Sequence, residues 1–394
     1  MNICFFSQEY PPETHVGGIA TYTYNMAGAL AKLGHTVHVI TSTQDSGQIY
    51  KDNGVWVHRI HNRPFRPIEL SQLKYSYSVA RKIVDINCTF DIVQSSEFAG
   101  EALWYSYTKK YPVVTRLATP FFQLRRLNGR FFCGIRPITN FMEKKQTLRS
   151  DGIFTSTRAL AQTVTDEWRI DRSRVDVIPN SVDISRVIKL GTSKPIPDTL
   201  KGIDYLLYFG RLEERKGVHV LANSLPVVFE KIPNISCVFA GSDYKYQDCS
   251  MRDYIRKKCS NYLDRLIFFD NLPQDELFPV VNAARIVILP SLWEAFGFVC
   301  VEAMALGRPV IASSGSGFSE IIEDGISGYL VEPGKSGVLA EKIIHALNDE
   351  EGLKGISEGA TNRAQDFEVS KIALKLISYY EKIIESRLEK CGNQ

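Results

Sequence analysis

The chain has 394 residues, of which 44% are hydrophobic and 23% are charged, and its formal net charge is +3. This composition is close to the average for soluble globular proteins and excludes a disordered or fibrous chain. No run reaches the roughly 18 consecutive apolar residues that cross a bilayer, and no signal-peptide pattern opens the chain, so the sequence predicts a cytoplasmic protein. The eight cysteines are scattered without a C-x-x-C pair, which favours reduced thiols over disulfides or a zinc site.

Short apolar runs alternate with helical patterns along the whole chain, which is typical of parallel sheets covered by helices. The length suggests two domains. In the first half, strands are predicted at Ile3–Ser7, Thr36–Thr41, Val55–Ile60, Ile92–Gln94, Val113–Leu117, Gly152–Thr155 and Val175–Ile178. In the second half, they are predicted at Tyr205–Gly210, Ser236–Gly241, Leu266–Phe269, Val287–Pro290 and Val310–Ala312.

A stretch from about Ser185 to Ile203 lacks periodicity and holds two glycines and two prolines, so it is predicted to be a linker. The predicted domains are therefore residues 1–185 and 186–370. An amphipathic pattern at Lys371–Leu388 predicts a C-terminal helix within 371–394 that packs back on the N-terminal domain. The predicted fold class is α/β, with two Rossmann-like doubly wound parallel-sheet domains facing a cleft that binds a phosphorylated ligand.

The most informative segment, residues 290–309, reads PSLWEAFGFVCVEAMALGRP. A strand is predicted to end at Pro290, a polar loop carries Glu294, and Glu302 lies in the second turn of the helix that follows. Carboxylates accept hydrogen bonds from vicinal hydroxyls, which a sugar or a ribose offers, although an arbitrary pair of glutamates more often caps a helix or forms surface ion pairs. The backbone N–H groups expected to point at the ligand are those of Phe296, Gly297, Phe298 and Val299.

A second segment, residues 208–217, reads YFGRLEERKG. Gly210 ends a predicted strand and permits a close backbone approach. Arg211 and Lys216 are placed at the carboxyl edge of that strand, where a guanidinium and an ammonium group can neutralise a diphosphate leaving group. A solvated charge cluster is the alternative interpretation of these residues.

Glycines also mark two other strand ends or loops. Gly17 and Gly18 lie before the first predicted helix, where two adjacent glycines are also compatible with a simple tight turn and do not form a dinucleotide-binding fingerprint. Gly241 ends the predicted strand that precedes Ser242. No D-x-D signature or cluster with ligand spacing occurs, so no metal is expected, and the cations and helix N-termini are expected to replace it.

Residues 290–309 resemble the E-x7-E signature of glycosyltransferase family 4, retaining enzymes of the GT-B architecture. They supply every fixed letter of the string P-S-x-x-E-x-F-G-x-x-x-x-E-A-x-A-x-G-x-P. The string G-R-x-x-x-x-K-G at residues 210–217 also resembles the corresponding string in members of this family. The resemblance implies that Glu294 touches the donor sugar and that Glu302 holds the ribose hydroxyls. It further implies that Arg211 and Lys216 bind the diphosphate, and that the glycine-rich loop at residues 13–18 lies close to donor and acceptor.

One position departs from the family pattern. Family members usually have histidine immediately before the Thr-Pro that ends the strand at residues 113–120, and this chain has Ala118. In the family, that histidine contacts the donor sugar and is important for transfer. Three explanations stay open: an engineered substitution, a natural enzyme that works without the imidazole, or a degenerate binding protein.

The predicted function is therefore retaining transfer of a sugar from a nucleotide-diphosphate sugar to a hydroxyl group, without a metal or another cofactor. UDP-sugars are the favoured donors and GDP-mannose is the next. The acceptor is predicted to be a glycan, a lipid-linked molecule or a small molecule. The alternatives are a catalytically silent nucleotide-sugar-binding protein and a sugar-nucleotide epimerase on the same scaffold.

Basic residues are concentrated in the segment Phe121–Ser150, which follows Ala118 closely. Seven basic residues and five phenylalanines face a single acidic residue, Glu143. This layout is typical of a peripheral contact with an anionic membrane surface or of a site for a phosphorylated lipid, although an ordinary helix with a solvated face fits equally well. Nucleic acid is not expected beside a sugar-nucleotide site. The basic residues are Arg125, Arg126, Arg130, Arg136, Lys144, Lys145 and Arg149, and the phenylalanines are Phe121, Phe122, Phe131, Phe132 and Phe141.

Overall fold

The structure is a computed structural model that describes residues 1–13, 17–128 and 137–392. The chain forms two compact units. Unit 1 comprises Met1–Ser181 together with Val369–Gln394, and unit 2 comprises Val182–Glu368. Unit 1 is therefore built from two separate stretches of the chain. None of the helices within the described ranges is long and apolar enough to span a bilayer.

Unit 1 contains, in its described part, an eight-stranded sheet. The strands are β1 (Asn2–Phe6), β2 (Thr36–Thr43), β3 (Gln48–Asp52), β4 (Val55–His61), β5 (Ile92–Ser96), β6 (Val113–Leu117), β7 (Gly152–Thr155) and β8 (Val175–Val177). Their order is β3-β4-β2-β1-β5-β6-β7-β8, and only the edge pair β3 and β4 is antiparallel. The helices are α1 (Gly18–Lys32), α2 (Ile68–Asp85), α3 (Leu103–Thr108), α4 (Phe121–Asn128), α5 (Pro137–Arg149), α6 (Arg158–Trp168) and, after unit 2, α15 (Val369–Gly392).

Helices cover both faces of this sheet. On one face, Cys4 and Phe6 of β1 pack in a buried cluster with Tyr75 of α2. On the other face α1 and α15 pack against each other, and Tyr380 of α15 donates a hydrogen bond of 2.5 Å to the side chain of Gln94 in β5. The final helix of the chain is therefore part of the core of unit 1.

Unit 2 contains a six-stranded sheet in which every neighbouring pair is parallel. The strands of the unit are β9 (Asp204–Phe209), β10 (Ile235–Ala240), β11 (Lys245–Tyr246), β12 (Cys249–Ser250), β13 (Leu266–Phe269), β14 (Ile286–Leu289), β15 (Val310–Ser313) and β16 (Tyr329–Val331). The sheet order is β13-β10-β9-β14-β15-β16, and β11 and β12 form a separate hairpin. The helices are α7 (Ile184–Gly191), α8 (Val218–Lys231), α9 (Met251–Lys258), α10 (Gln274–Ala283), α11 (Phe298–Ala305), α12 (Phe318–Ile321), α13 (Ser336–Asn348) and α14 (Glu350–Ala364).

Strand β9 shows why the central strands of unit 2 are continuous apolar runs. Leu206 and Tyr208 are buried in the core on one face of the sheet, whereas Leu207 and Phe209 are buried in the core on the other. A strand covered by helices on both faces needs an apolar side chain at every position. The predicted α/β class, with two doubly wound parallel sheets, is confirmed.

The predicted linker is wrong over its first half, because residues 184–191 form α7. The Asp183 carboxylate accepts the backbone N–H of Arg186 at 2.9 Å and caps this helix. Ile184 and Val187 are buried in the core of unit 2. Two buried apolar side chains in a helix of eight residues give too short a periodic pattern to recognise in the sequence.

Candidate functional site

The candidate donor site of unit 2 lies at the carboxyl ends of two neighbouring strands. Strands β9 and β14 are paired in the sheet, so the segments that follow them begin at the same edge. The backbone N–H of Leu292 donates to the carbonyl oxygen of Arg215 at 2.9 Å and joins the two segments. The residues that the sequence placed in two separate motifs thus become neighbours.

Glycine is required where β9 and β10 end. Gly210 and Gly241 have φ angles of +131° and +149°. A Cβ on Gly241 would lie 2.0 Å from the carbonyl oxygen of Gly210. No side chain fits between the two backbones at this point. The two predicted glycines therefore leave the carboxyl edge of the sheet lined by backbone atoms.

Lys216 and Glu294 form the central contact of the site. The Lys216 Nζ lies 2.5 Å from the Glu294 Oε2. The two side chains are only 19% and 11% exposed, so the ion pair is largely shielded from water. The two charges attract each other more strongly in this environment than at the surface. Removing both charges from water also costs more free energy.

Two arginines and a further glutamate extend the charged cluster. Arg211 and Arg215 both contact the Glu213 Oε1, at 3.2 and 2.8 Å. The Arg211 side chain is half-exposed, whereas the Arg215 side chain is only 8% exposed. Arg215 was missed by the sequence analysis, because the burial of its side chain depends on packing between segments remote in sequence.

The charges of the cluster shift the pKa values of its members. Burial lowers the pKa of Lys216, and the attraction of Glu294 only partly opposes this effect. Burial raises the pKa of Glu294, but the nearby cations, Lys216 first and then Arg215, outweigh burial and leave this pKa below its ordinary value. Glu294 is therefore held as a carboxylate beside an excess of positive charge.

The start of α11 lies next to this cluster. Gly297 has a φ of +102°, and a Cβ there would lie 2.3 Å from the ring of Phe318. Among the described residues, the N–H groups of Phe298 and Val299 have no hydrogen-bond partner. The Phe296 side chain is buried in the core of unit 2, so only its backbone is available to a ligand.

Glu302 lies further along α11 and has a different electrostatic partner. Burial raises the pKa of Glu302 to about 7, and the charge of Arg186 on α7 opposes this rise. Arg186 was missed by the sequence analysis because it lies in the segment interpreted as a linker. The structure thus brings Arg211, Lys216 and Glu294 into one cluster and places Glu302 beside Arg186.

The predicted residues of unit 1 lie at the ends of its strands and at the start of α1. The N–H groups of Ala118 and Thr119 donate to the two carboxylate oxygens of buried Glu97, at 2.7 and 2.8 Å. Gly17 precedes α1, which begins at Gly18, and the carbonyl of Gly17 accepts the N–H of Thr21 at 3.1 Å. Residues 14–16 of the predicted glycine-rich loop lie outside the described residues.

The basic segment Phe121–Ser150 forms α4 and α5 where the structure describes it. Phe121 and Phe122 are 7% and 8% exposed, so the expectation that they lie on a membrane surface is wrong. They are buried because the start of α4 is fixed to α5 by a hydrogen bond from the Phe121 N–H to the Glu143 carboxylate at 2.8 Å. Arg130, Phe131, Phe132 and Arg136 lie outside the described residues.

Two family comparisons cover most of the chain. Residues 16–186 match the family described as Glycosyltransferase Family 4, and residues 194–363 match the family described as Glycosyl transferases group 1. Together with the two doubly wound sheets, these matches define a GT-B glycosyltransferase. The chain belongs to the family 4 type of these enzymes.

Relatives match over nearly the full length. An uncharacterized glycosyltransferase of Methanocaldococcus jannaschii is 28% identical to this chain, and the match spans 98% of this chain and 99% of that protein. A D-inositol 3-phosphate glycosyltransferase of Arthrobacter is 25% identical to this chain, and the match spans 97% of this chain and 94% of that protein.

Solved structures show the same fold. Sucrose-phosphate synthase from Thermosynechococcus elongatus superposes with a TM-score of 0.77 at 19% identity, over 98% of this chain and 99% of the other. Anabaena HepE in complex with UDP-glucose superposes with a TM-score of 0.71 at 20% identity, over 97% of this chain and 100% of the other.

Proposed function

We propose that this glycosyltransferase is a retaining hexosyltransferase that uses a nucleotide-diphosphate sugar, with a UDP-sugar as the favoured donor and GDP-mannose as the next. The observation that carries the proposal is the shielded contact of Lys216 with Glu294 beside Arg211. This cluster offers cations to a diphosphate and a carboxylate to sugar hydroxyls at the edge of one sheet. The free N–H groups of Phe298 and Val299 add donors for an anion.

In the proposed reaction the bond between the sugar C1 and the diphosphate breaks, and its electron pair leaves with the diphosphate. Arg211 and Lys216 stabilise the charge that develops on this leaving group. The oxygen of the acceptor hydroxyl forms its bond to C1 from the same face, which retains the configuration, and the proton of that hydroxyl passes to the departing diphosphate. We expect no metal requirement, because the two cations supply the positive charge; transfer that survives a chelator is the corresponding test.

The preference for UDP rests on relatives. HepE was solved with UDP, with UDP and glucose, and with UDP-glucose, and a trehalose-6-phosphate protein of E. coli was solved with UDP-2-fluoro glucose. One curated relative carries the name D-inositol 3-phosphate glycosyltransferase. For this chain, we propose a hydroxyl of a glycan, a lipid-linked molecule or a small molecule as the acceptor.

The deciding experiment has two steps. A thermal-shift screen with UDP, GDP and ADP identifies the nucleotide, because a ligand that binds only the folded state raises the melting temperature. The matching sugar nucleotides are then incubated with candidate acceptors, and the anomeric configuration of the product is read by NMR. Lys216→Ala should reduce turnover about 100-fold or more, and unchanged turnover would contradict the proposed role of the cation.

A second candidate is a silent nucleotide-sugar-binding protein, and Ala118 favours it. Under this alternative the protein binds a sugar nucleotide but neither transfers nor hydrolyses the sugar, and Ala118→His does not restore turnover. A sugar-nucleotide epimerase would instead convert the donor without any acceptor. Measuring donor consumption with and without acceptor, in the wild type and in Ala118→His, separates the three functions.

A further inference from the structure

Helix α5 buries mainly polar side chains and leaves two large apolar side chains exposed. The buried carboxylate of Glu143 accepts the N–H groups of Ala99 and Phe121, at 3.1 and 2.8 Å. On the outer side of the helix, Ile138 and Phe141 are 45% and 55% exposed. A helix that covers a sheet normally turns its apolar side chains inwards. The outward apolar side chains of α5 therefore contribute nothing to the core of unit 1.

The exposed side of α5 continues into an aromatic surface on the two neighbouring helices. Tyr77 of α2 and Trp104 of α3 are half-exposed, and their rings meet edge to face at 5.9 Å. Tyr107 lies one helical turn after Trp104 and is 56% exposed. We call this set the aromatic surface, and it consists of Tyr77, Trp104, Tyr107, Phe141, Lys145 and Arg149.

Cations connect the aromatic rings of this surface. The Arg149 guanidinium lies 3.9 Å from the centroid of the Tyr107 ring, and its Nε donates to the carbonyl of Ser106 at 3.3 Å. The Lys145 Nζ lies 5.4 Å from the centroid of the Phe141 ring. Lys145 and Arg149 are four residues apart and therefore neighbours on α5. The surface is thus continuous from α2 across α3 to α5.

Most acidic side chains in the stretch from residue 63 to residue 149 are buried. Between residues 63 and 149 the sequence holds six acidic residues, of which only Asp85 and Asp91 are not buried. The described exposed side chains of the same stretch include Lys74 and Arg81 of α2 and also Lys110, which follows α3. The surface is consequently more cationic than the sequence suggests. The buried acidic residues are Glu69, Glu97, Glu101 and Glu143.

We propose that the aromatic surface docks the protein on a membrane that contains anionic lipids. Tryptophan and tyrosine favour the headgroup region of a bilayer, and lysine and arginine are attracted by anionic headgroups. Exposed acidic side chains would repel an anionic bilayer surface, so their burial favours this partner. Binding of an apolar protein partner would not depend on their burial. This inference stands on unit 1 alone and does not rest on the proposed sugar donor.

Cosedimentation of the full chain with vesicles tests the proposal. Vesicles of phosphatidylcholine with about one third phosphatidylglycerol should bind the protein at least tenfold more strongly than pure phosphatidylcholine vesicles, and added salt should weaken the binding. Phe141→Ser combined with Lys145→Gln should weaken vesicle binding about 25-fold, because each of the two lost contacts should weaken it roughly fivefold. The matched control, Leu263→Ser combined with Lys257→Gln on unit 2, should bind like the wild type.

Fluorescence locates the contact independently of these variants. Brominated phosphatidylcholine mixed with phosphatidylglycerol should quench Trp104, so Trp104→Phe should lose most of the quenching and Trp56→Phe should retain it. Equal binding to neutral vesicles, equal loss in both double variants, or quenching that survives in Trp104→Phe would overturn the proposal. A salt-insensitive dimer in solution that only the Phe141 variant abolishes would show that a second copy occupies the surface instead.

Discussion

Gly217 lies directly against Pro290, since a Cβ on Gly217 would be 1.8 Å from the Pro290 carbonyl oxygen. Gly217 ends the segment that carries Lys216, and Pro290 begins the segment that carries Glu294. Because the two backbones touch at this point, neither half of the ion pair can move away without a change in the other segment. The absence of one side chain thus positions two others.

Gly217→Ala should destabilise the protein by more than about 3 kcal/mol, because the new methyl group collides with backbone and the φ of +68° is itself unfavourable for alanine. Gly202→Ala is the matched control. Gly202 has a φ of +74° and open space around its Cβ position, so this change should cost only about 1–2 kcal/mol. Urea denaturation of both variants gives the comparison, and equal costs would remove the role assigned to the close approach.

Breaking the ion pair on one side should cost more than removing it completely. Lys216→Met leaves Glu294 shielded from water, with only Arg215 and Arg211 to offset its charge. This variant should lose about 2–3 kcal/mol of stability at neutral pH, whereas the addition of Glu294→Gln should recover part of the loss. Chemical denaturation of both variants provides the values. A double variant that is less stable than Lys216→Met would show that the two side chains do not act as a pair.

Donor affinity should depend on pH through Glu302. Burial raises the pKa of this group to about 7, so its carboxylate, the form that we propose accepts hydrogen bonds from the ribose of the donor, develops as the pH rises. Nucleotide affinity should therefore increase roughly 5- to 10-fold between pH 6 and pH 8. Glu302→Gln should abolish this dependence while leaving the fold intact. Calorimetric titration at several pH values measures it, and a profile unchanged in Glu302→Gln would assign the titration to another group.

The same shift has a consequence for folding stability. The unfolded chain releases the Glu302 proton near pH 4.3, whereas the folded chain holds it until about pH 7. The contribution of this group to stability is therefore complete below the unfolded pKa and is lost as the pH rises through the folded pKa. Thermal unfolding of Glu302→Gln should lack this part of the pH dependence.

The same kind of substitution should affect stability much more on the buried side of α5 than on its exposed side. Glu143→Leu leaves the buried N–H groups of Ala99 and Phe121 without an acceptor, which should cost about 2–6 kcal/mol. Lys145→Leu, two residues later on the exposed side, should change stability by no more than about 0.5 kcal/mol. Urea denaturation of both variants measures the difference. A small effect at Glu143 would mean that the backbone finds other partners.

The sequence predicted most strands of the two large sheets, because each is an apolar run between turn residues. The predicted bounds of β6, β7 and β13 agree with the structure. The edge strands β3 and β16 were missed, since the first is largely exposed and the second has only three residues. The helix α7 was also missed, because its two core contacts are with elements far along the chain.

The site shows the same division between local and distant information. The positions of Lys216 and Glu294 follow from motifs that lie immediately after strands. Arg215 and Arg186 could not be recognised, because the burial of the first and the placement of the second depend on packing between segments remote in sequence. The burial of Glu143 on α5 could not be predicted for a similar reason, since only the structure shows which backbone N–H groups donate hydrogen bonds to its carboxylate.

Helix α15 is translated after the whole of unit 2, although it packs in unit 1. The Tyr379 ring lies 5.6 Å from that of Phe154, and a Cβ on Gly152 would meet the Tyr379 hydroxyl oxygen at 2.6 Å. A ribosome therefore completes one unit while strand β7 of the other still lacks its cover. During that interval the nascent chain presents an apolar sheet face to chaperones, and the first unit to be started is the last to be finished.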